Sequence, residues 1–419
     1  MNTLAALPRP SAARLALKVT NDAIRQLRSG HPWLFEGSIT SVNRDGAPGD
    51  LAVVFDGDRR FVAIGLWDPD SPIRVKVLHQ GKPVTIDEAW FEARIAAAVE
   101  RRAPLAATAG TDRATTAYRI IHGENDQMPG LVVDRYGHVA VLKLYSAAWV
   151  PHLAVLVPII RKHLTVRSIV LRTARSLGDG VLHGLRSGVS LVGPDIDGPV
   201  AFVEHGLHFE ADVIRGQKTG HFLDQRDNRI YIGTIAAGAP VLDVFSCTGG
   251  FSVHAAAGGA RSVHSVDAAP VAIEFAIRNM ALNAGLPAVA ACRHETTIGE
   301  AFATMEDLVS RRKRYGIVVV DPPSFASNAP SIPKAITAYE RLAELAVQLV
   351  ERGGLLMQAS CSSRVDEADF IRAVHAGAAR AGYELEEVRR TGHPIDHPIG
   401  FREGGYLKAT YVRPHRIAR

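Results

Sequence analysis

Apolar and polar positions along the chain fall into three successive regimes. Up to about Gly81 the apolar residues come in short alternating or continuous runs bounded by Gly, Pro and Asp. "GDLAVVFD", "RFVAIGLWD" and "PIRVKVLH" each predict a strand, and together a small β-barrel or sandwich. "IDEAWFEARIAAAVERRAPL" then spaces its apolar residues for a helix, with Asp87 as N-cap and Pro104 beyond the end. In "GLVVDRYGHVAVLKLYS" two apolar strands flank the turn "RYGH". "PHLAVLVPIIRKHL" reads as a helix and "VRSIVLRT" as a strand. This middle stretch predicts a small α+β domain.

From about Phe202 strands and helices alternate. "APVLDVFS" is a strand that ends in a glycine turn, "GFSVHAAAGG" a helix and "RSVHSVD" a strand. "APVAIEFAIRNMALNAG" is a helix ended by Gly285, and "YGIVVVDPPS" a buried strand. "AITAYERLAELAVQLVERGG" is a helix ended by a glycine pair, "LLMQASCSS" a strand, and "EADFIRAVHAGAARAG" a helix. That order predicts a doubly wound α/β sheet with a largely parallel core. The expected domains are 14–85, 86–201 and 202–419, preceded by a loose N-terminal tail. Long repeats and low-complexity blocks are absent.

Composition narrows the class. Apolar residues make up 47% and charged residues 22%, which suits globular folding and excludes wholesale disorder. Cys247, Cys292 and Cys361 are too few and too scattered for a disulfide framework, so a reducing, cytoplasmic setting is expected. The N-terminus lacks the basic, apolar pattern of a secretory signal, and no span approaches 18 apolar residues, so no membrane helix is expected. A net charge of +5 leans mildly toward polyanionic partners.

Ligands of doubly wound sheets sit outside the carboxyl ends of the strands. Asp243, Asp267, Asp321 and Cys361 all fall at such ends. After the first strand, Gly249 and Gly250 permit a tight turn at a helix N-terminus. This turn is neither G-x-G-x-x-G nor a P-loop, which disfavours a dinucleotide or ATP. An acidic turn suits a cofactor with an amino-acid end and no phosphate. S-adenosylmethionine has that shape, with an α-amino group for an acid near Asp243 and a ribose for Asp267. The plain alternative is that both acids merely cap strand ends.

"VVVDPPSF" supplies a second site. Asp321 closes an apolar strand, Pro322 and Pro323 leave nearby carbonyls without competing N–H groups, and Phe325 offers a stacking face. Such a set can hold a planar base, but it also serves methylation of exocyclic amines. Cys361 points to carbon instead. A thiolate adding to carbon 6 of a pyrimidine makes carbon 5 nucleophilic enough to attack a methyl sulfonium. Asp321 would bond N3 of the base, and a cation such as Arg364 would lower the thiol pKa. The plain alternative is a small buried residue, the role expected of Cys247 and Cys292.

"GQKTGHFLDQRDNR", "VLDVFSCTGGF", "VVVDPPSFA" and "SCSS", in this order, resemble the ribosomal large-subunit methyltransferase I family, enzymes that make 5-methylcytosine in 23S ribosomal RNA. "SGHPWLFEGSI" is similar to that family's PUA domain, and "RIIHGENDQMPGLVVDRYG" to its central α+β (EEHEE-like) domain. The resemblance covers nearly the whole chain, and "TGHFLDQR" is its most specific part. It implies a PUA-like RNA-binding β-barrel, a small α+β domain and a Rossmann-like class I methyltransferase domain. It also implies S-adenosyl-L-methionine beside Gln217, Asp224, Gln225, Arg226 and Asp321. Phe245 to Gly250, with Ser246 among them, would form the cofactor turn, and Asp267 would hold the ribose. Glu300, in "EAF" where the family carries Asp, would face the adenine. Cys361 matches the nucleophile. The partners implied are 23S ribosomal RNA or a large-subunit precursor and no membrane, with a homodimer as one permitted state.

A guanine N-methyltransferase with an inert Cys361, or an RNA-binding assembly factor with a vestigial cofactor site, are the competing readings. In another group of cytosine-5 methylases a second cysteine stands where Ser324 stands here, so a different base must release the adduct. His393 and His397 are spaced like a metal pair, but Pro394 and Pro398 prevent the helix that would aim them together, and no metal is expected. "RRKR" (Arg311 to Arg314) is a solvated helix end or a phosphate contact. "RSGHPWLF" either binds RNA or packs its barrel through Trp33 and Phe35.

Overall fold

The computed structural model describes residues 3–326 and 328–417. The chain forms two compact units. One runs through Phe202 and adds Asp212–Leu223 and Ile395–Arg402; the other comprises Val203–Ala211, Asp224–Pro394 and the chain from Glu403 onward.

In the first unit, β1 (Leu15–Val19), β2 (Trp33–Phe35), β3 (Ile39–Val42), β4 (Leu51–Phe55), β5 (Phe61–Trp67) and β6 (Ile73–Gln80) form a sheet in the order β2-β6-β5-β4-β1-β3, with α1 (Asn21–Arg28) after β1. The sequence pattern gives β4 to β6; β1 to β3 are short or irregular in pattern and add to them. α2 (Glu88–Arg101) starts where expected, because the Asp87 carboxylate accepts from Trp90 N at 2.9 Å. Pro104 lies in the first turn of a short following helix, α3 (Ala103–Ala106). A second sheet holds β7 (Ala117–His122), β8 (Leu131–Tyr136), β9 (Val139–Leu144), β10 (Ser168–Thr173) and β11 (Ser190–Val192), with α4 (Leu153–Leu164) connecting β9 to β10. β8 and β9 are the expected hairpin.

The two sheets share one core. Ile64, Leu66 and Leu78 join Val133, Leu142 and Ile169 in a single apolar cluster. Leu4 and Leu7 belong to it as well, so residues 3–7 are not the loose tail that the sequence suggests. A 3-10 turn, Thr3–Ala6, buries both leucines, worth roughly 1.5–3 kcal/mol each. Buried ions fix the later segments of this unit. Asp134 accepts from Arg119 Nε at 2.8 Å and from Thr219 Oγ1 at 2.6 Å. Burial opposes its charge, but Arg119 and Thr219 hold its carboxyl below the ordinary value. The Asp396 carbonyl accepts from buried Arg102 at 2.8 Å.

β12 (Val200–Glu204) and β13 (Leu207–Ala211) pair as a two-stranded ribbon. The second unit then runs α5 (Arg226–Ile235), β14 (Pro240–Val244), α6 (Gly250–Ala257), β15 (Ser262–Asp267), α7 (Pro270–Leu282), α8 (Pro287–Ala291), β16 (Arg293–Ile298), α9 (Ala301–Ser310), β17 (Tyr315–Val320), α10 (Ile332–Leu349), β18 (Val350–Ser360), α11 (Glu367–Arg380), β19 (Tyr383–Thr391) and β20 (Lys408–Arg416). The sheet order is β16-β15-β14-β17-β18-β20-β19. β14 to β18 are parallel; β20 is antiparallel to both neighbours. The strand order reverses between β14 and β17, which opens a crevice at their carboxyl ends.

Two helix ends differ from the pattern. α7 stops at Leu282, capped by Asn283 ahead of Gly285. α10 stops at Leu349, because Val350 already pairs with Tyr315. The next paired residue is Leu355, opposite Ile317, so Glu351–Gly354 bulge outward. Gly353 takes φ +79°, and a Cβ on Gly354 would lie 2.6 Å from the Gly316 carbonyl. The glycine pair therefore serves a bulge inside the strand and not a helix end. Among the described residues no helix is long and apolar enough to cross a membrane.

Candidate active site

The turn between β14 and α6 is backbone under constraint. Phe245, Cys247 and Gly249 take φ of 63°, 48° and 76°. Two of these are side-chain-bearing residues in the left-handed region, which costs energy that the surroundings must offset. Ser246 N donates to the Val266 carbonyl at 3.0 Å, and Cys247 N to Asp267 Oδ2 at 2.9 Å. Only glycine fits at 249, since a Cβ there would sit 2.8 Å from that of Ala276.

Asp243 is fully buried in β14. Its Oδ2 accepts from Ser252 N at 3.1 Å and Ser252 Oγ at 2.6 Å. Among the described residues its Oδ1 has no hydrogen-bond partner, and neither has Ser246 Oγ. Burial pushes the carboxyl up to about 6. An orphaned buried oxygen costs about 1–3 kcal/mol, and an ammonium group would relieve it. Asp267, at the end of β15, accepts from Cys247 N with one oxygen and from Ala269 N, at 2.9 Å, with the other. A carboxylate with four lone-pair sites can still take two hydroxyls. This pairing of an amine acceptor with a diol acceptor fits S-adenosylmethionine. Glu300 follows β16, is exposed, and caps α9 through Ala303 N at 3.2 Å.

The other side of the crevice is built from β17 and β18. Asp321 follows β17, and its Oδ1 accepts from Gln225 Nε2 at 2.7 Å. Gln225 Oε1 accepts from Asn228 Nδ2 at 2.6 Å. Asn228 Oδ1 in turn accepts from Thr391 Oγ1 at 2.6 Å and Tyr411 OH at 2.9 Å. This chain fixes which way the Gln225 amide faces, and so orients Asp321. Asp224 Oδ2 accepts from Tyr406 OH at 2.8 Å, and buried Arg226 donates to Asp227 at 3.1 Å. Asn228, Thr391 and Tyr411 escape sequence reasoning because nothing local links them to Asp321, and nothing local links Tyr406 to Asp224. Gln217 lies in the other compact unit, where its carbonyl accepts from Gly220 N at 2.8 Å.

Cys361 follows β18 and is half-buried. Its two serine neighbours are pinned under α10: Ser360 Oγ donates to Tyr339 OH at 2.9 Å, and Ser362 Oγ bonds the same hydroxyl at 2.8 Å. Side chains along an extended segment alternate, and the thiol between these serines lies 3.7 Å from the Pro322 carbonyl oxygen. Ser324 Oγ bonds Ser362 Oγ at 3.2 Å, Phe325 packs on the Tyr339 ring at 5.3 Å, and Pro323 is exposed. Arg364, the cation expected from sequence, is exposed. The buried cation here is Lys408, cross-strand partner of Ser360, whose Nζ donates to the Ser362 carbonyl at 2.6 Å and to that of Val365. Its one readable signal is a lysine inside the apolar strand "YLKATYV".

The remaining motifs take separate places. His393 accepts from Tyr406 N and Leu407 N at 3.3 and 3.0 Å, while His397 is buried against the His122 ring at 5.0 Å. Arg311 pairs with Asp307 on an exposed helix end. In "HPWLF" it is Leu34 that enters the core. Phe35 is 42% exposed and does not pack the barrel; Trp33 donates to Glu124 at 2.9 Å.

A family model for S-adenosylmethionine-dependent methyltransferases matches residues 187–411, and one for a PUA-like domain matches 17–80. A Deinococcus radiodurans protein named ribosomal RNA large subunit methyltransferase is 43% identical over 97% of this chain and 99% of its own length. A Shewanella denitrificans protein named ribosomal RNA large subunit methyltransferase I is 34% identical over 96% and 99%. Among solved structures, a Streptococcus mutans protein described as a SAM-dependent methyltransferase aligns with TM-score 0.79 at 21% identity, over 95% of this chain and 99% of that one, which shows a common fold. The chain belongs to the S-adenosylmethionine-dependent methyltransferases and, among them, to the ribosomal RNA large subunit methyltransferase I family.

Proposed function

We propose that this enzyme forms 5-methylcytosine in large-subunit (23S) ribosomal RNA, in the cytoplasm, with Cys361 as nucleophile and Asp321 as the acid that holds the base. The observation that supports this most is the 3.7 Å approach of the Cys361 thiol to the Pro322 carbonyl, beside Asp321 at a neighbouring strand end. The names of the relatives matched over nearly their whole length supply the RNA class.

The Cys361 thiolate adds to carbon 6 of the ring, and Asp321, carrying a proton, donates it to N3 as electron density moves onto the base. S-adenosylmethionine, when bound, supplies an electrophilic methyl group. With sulfur on carbon 6, carbon 5 becomes the nucleophile that would take that methyl group, and removal of the carbon 5 proton by a base would then expel the Cys361 thiolate and restore the ring. Asp243, Ser246 and Asp267 hold the cofactor's amino-acid and ribose ends; Asp224, Gln225, Arg226 and the Phe245–Gly250 turn complete the wall. Pro322, Pro323 and Phe325 line the base site.

Mass spectrometry of ribosomal RNA nucleosides from cells with and without the protein tests the reading. The expected result is one 5-methylcytosine lost from large-subunit RNA. A missing N-methylguanine instead would replace it with exocyclic-amine chemistry, and no missing nucleoside would favour a binding role.

A further inference from the structure

The sulfur of Cys361 needs more than a place beside the base. A free cysteine is mostly protonated at neutral pH, and only the thiolate adds to a ring. Lys408 is the buried cation at this strand end. β20 pairs antiparallel with β18 and sets Lys408 opposite Ser360, the residue just before Cys361. Its ammonium donates to the carbonyls of Ser362 and Val365, the turn just after Cys361. The strand before the sulfur is thus paired with the Lys408 backbone, and the turn after it is tied to the Lys408 ammonium. Cys361, Asp366 and Glu367 are the anionic groups around Lys408. Those two carboxylates face it from the start of α11 but are exposed to solvent, which screens them. Two further titratable groups face this end: Tyr339 is neutral, because burial raises its pKa, and Asp321, at the neighbouring strand end, opposes a thiolate when ionised, so Lys408 has to outweigh it.

We propose that Lys408 is a positioning residue that holds Cys361 as a thiolate and fixes the turn carrying it. This rests on the reading of Cys361 as nucleophile, yet it concerns only the state of the sulfur. Burying a lysine in a strand is costly, and desolvation pulls this one down to about 8. Two carbonyl acceptors and a neighbouring anion offset that cost, and leave the group still largely charged at neutral pH.

The test is iodoacetamide alkylation of the full chain across pH, read cysteine by cysteine through peptide mass spectrometry. In the unmodified protein Cys361 should reach half its maximal rate at least about one pH unit below the free-cysteine value of about 8.5. A midpoint at or above that value overturns the proposal without any variant. In Lys408→Met the midpoint should rise by about one unit and alkylation at pH 7 should slow about tenfold, while Cys247 and Cys292 keep their rates. An unchanged midpoint overturns the proposal. Lys408→Arg should keep the low midpoint, and a rise equal to that of Lys408→Met would overturn charge as the cause. No RNA enters the measurement, so it can fail while Cys361 remains the nucleophile. Conversely, loss of methyl transfer in Cys361→Ala bears on the nucleophile alone.

Discussion

Cys247 and Cys361 both follow a central parallel strand of the same sheet, β14 and β18, and both are half-buried. Their surroundings are opposite. Cys247 sits in a turn ringed by carboxylates. Desolvation, and then Asp267, push its thiol up to about 12. Cys361 has a buried lysine tied to the backbone beside it. The first strand end suits a cationic ligand and keeps its own sulfur protonated and inert. The second, under the proposal, holds an anion on sulfur. Residue type and strand-end position are the same, so in the proposed reading desolvation and neighbouring charge separate an inert thiol from a nucleophile.

The contrast is easiest to break with Cys361→Ala, which should lower methyl transfer to large-subunit RNA by on the order of 10⁴-fold or more, with cofactor affinity by calorimetry kept. Next, Asp243→Asn should weaken S-adenosylmethionine binding about 10- to 100-fold, while the alkylation profile of Cys361 stays put. A smaller effect follows from pH. The Asp243 carboxyl, raised by burial to about 6, is ionised above that pH and can accept an ammonium group; it takes up a proton as pH falls through it. Cofactor affinity should therefore drop about tenfold from pH 7.5 to 5.0, and Asp243→Asn should flatten the curve. The smallest effect sharpens the comparison. In Asp267→Asn the Cys247 alkylation rate should rise by no more than about threefold, because desolvation, the larger cause, remains.

Much of this was legible without coordinates. The strand–helix alternation after Phe202 gave the doubly wound sheet, since buried parallel strands read as apolar runs such as "YGIVVV". Asp243, Asp267, Asp321 and Cys361 stood out because each follows such a run. The ends of elements were less readable. "ERGG" carries the signature of a helix stop, and only pairing with β17 shows it as a bulge in β18. The leucines at 4 and 7 look like a tail until the core that receives them is known.

By itself, then, the sequence determined the order of elements, the acidic strand ends and the candidate nucleophile, because burial period and turn chemistry are local properties. Only the tertiary structure decided the partners. Gln225 orients Asp321 across 96 positions, and Lys408 reaches the Cys361 turn across 46. The charge and direction of a catalytic group are set by whatever the fold packs against it, and contacts between distant segments leave no periodic trace in the chain.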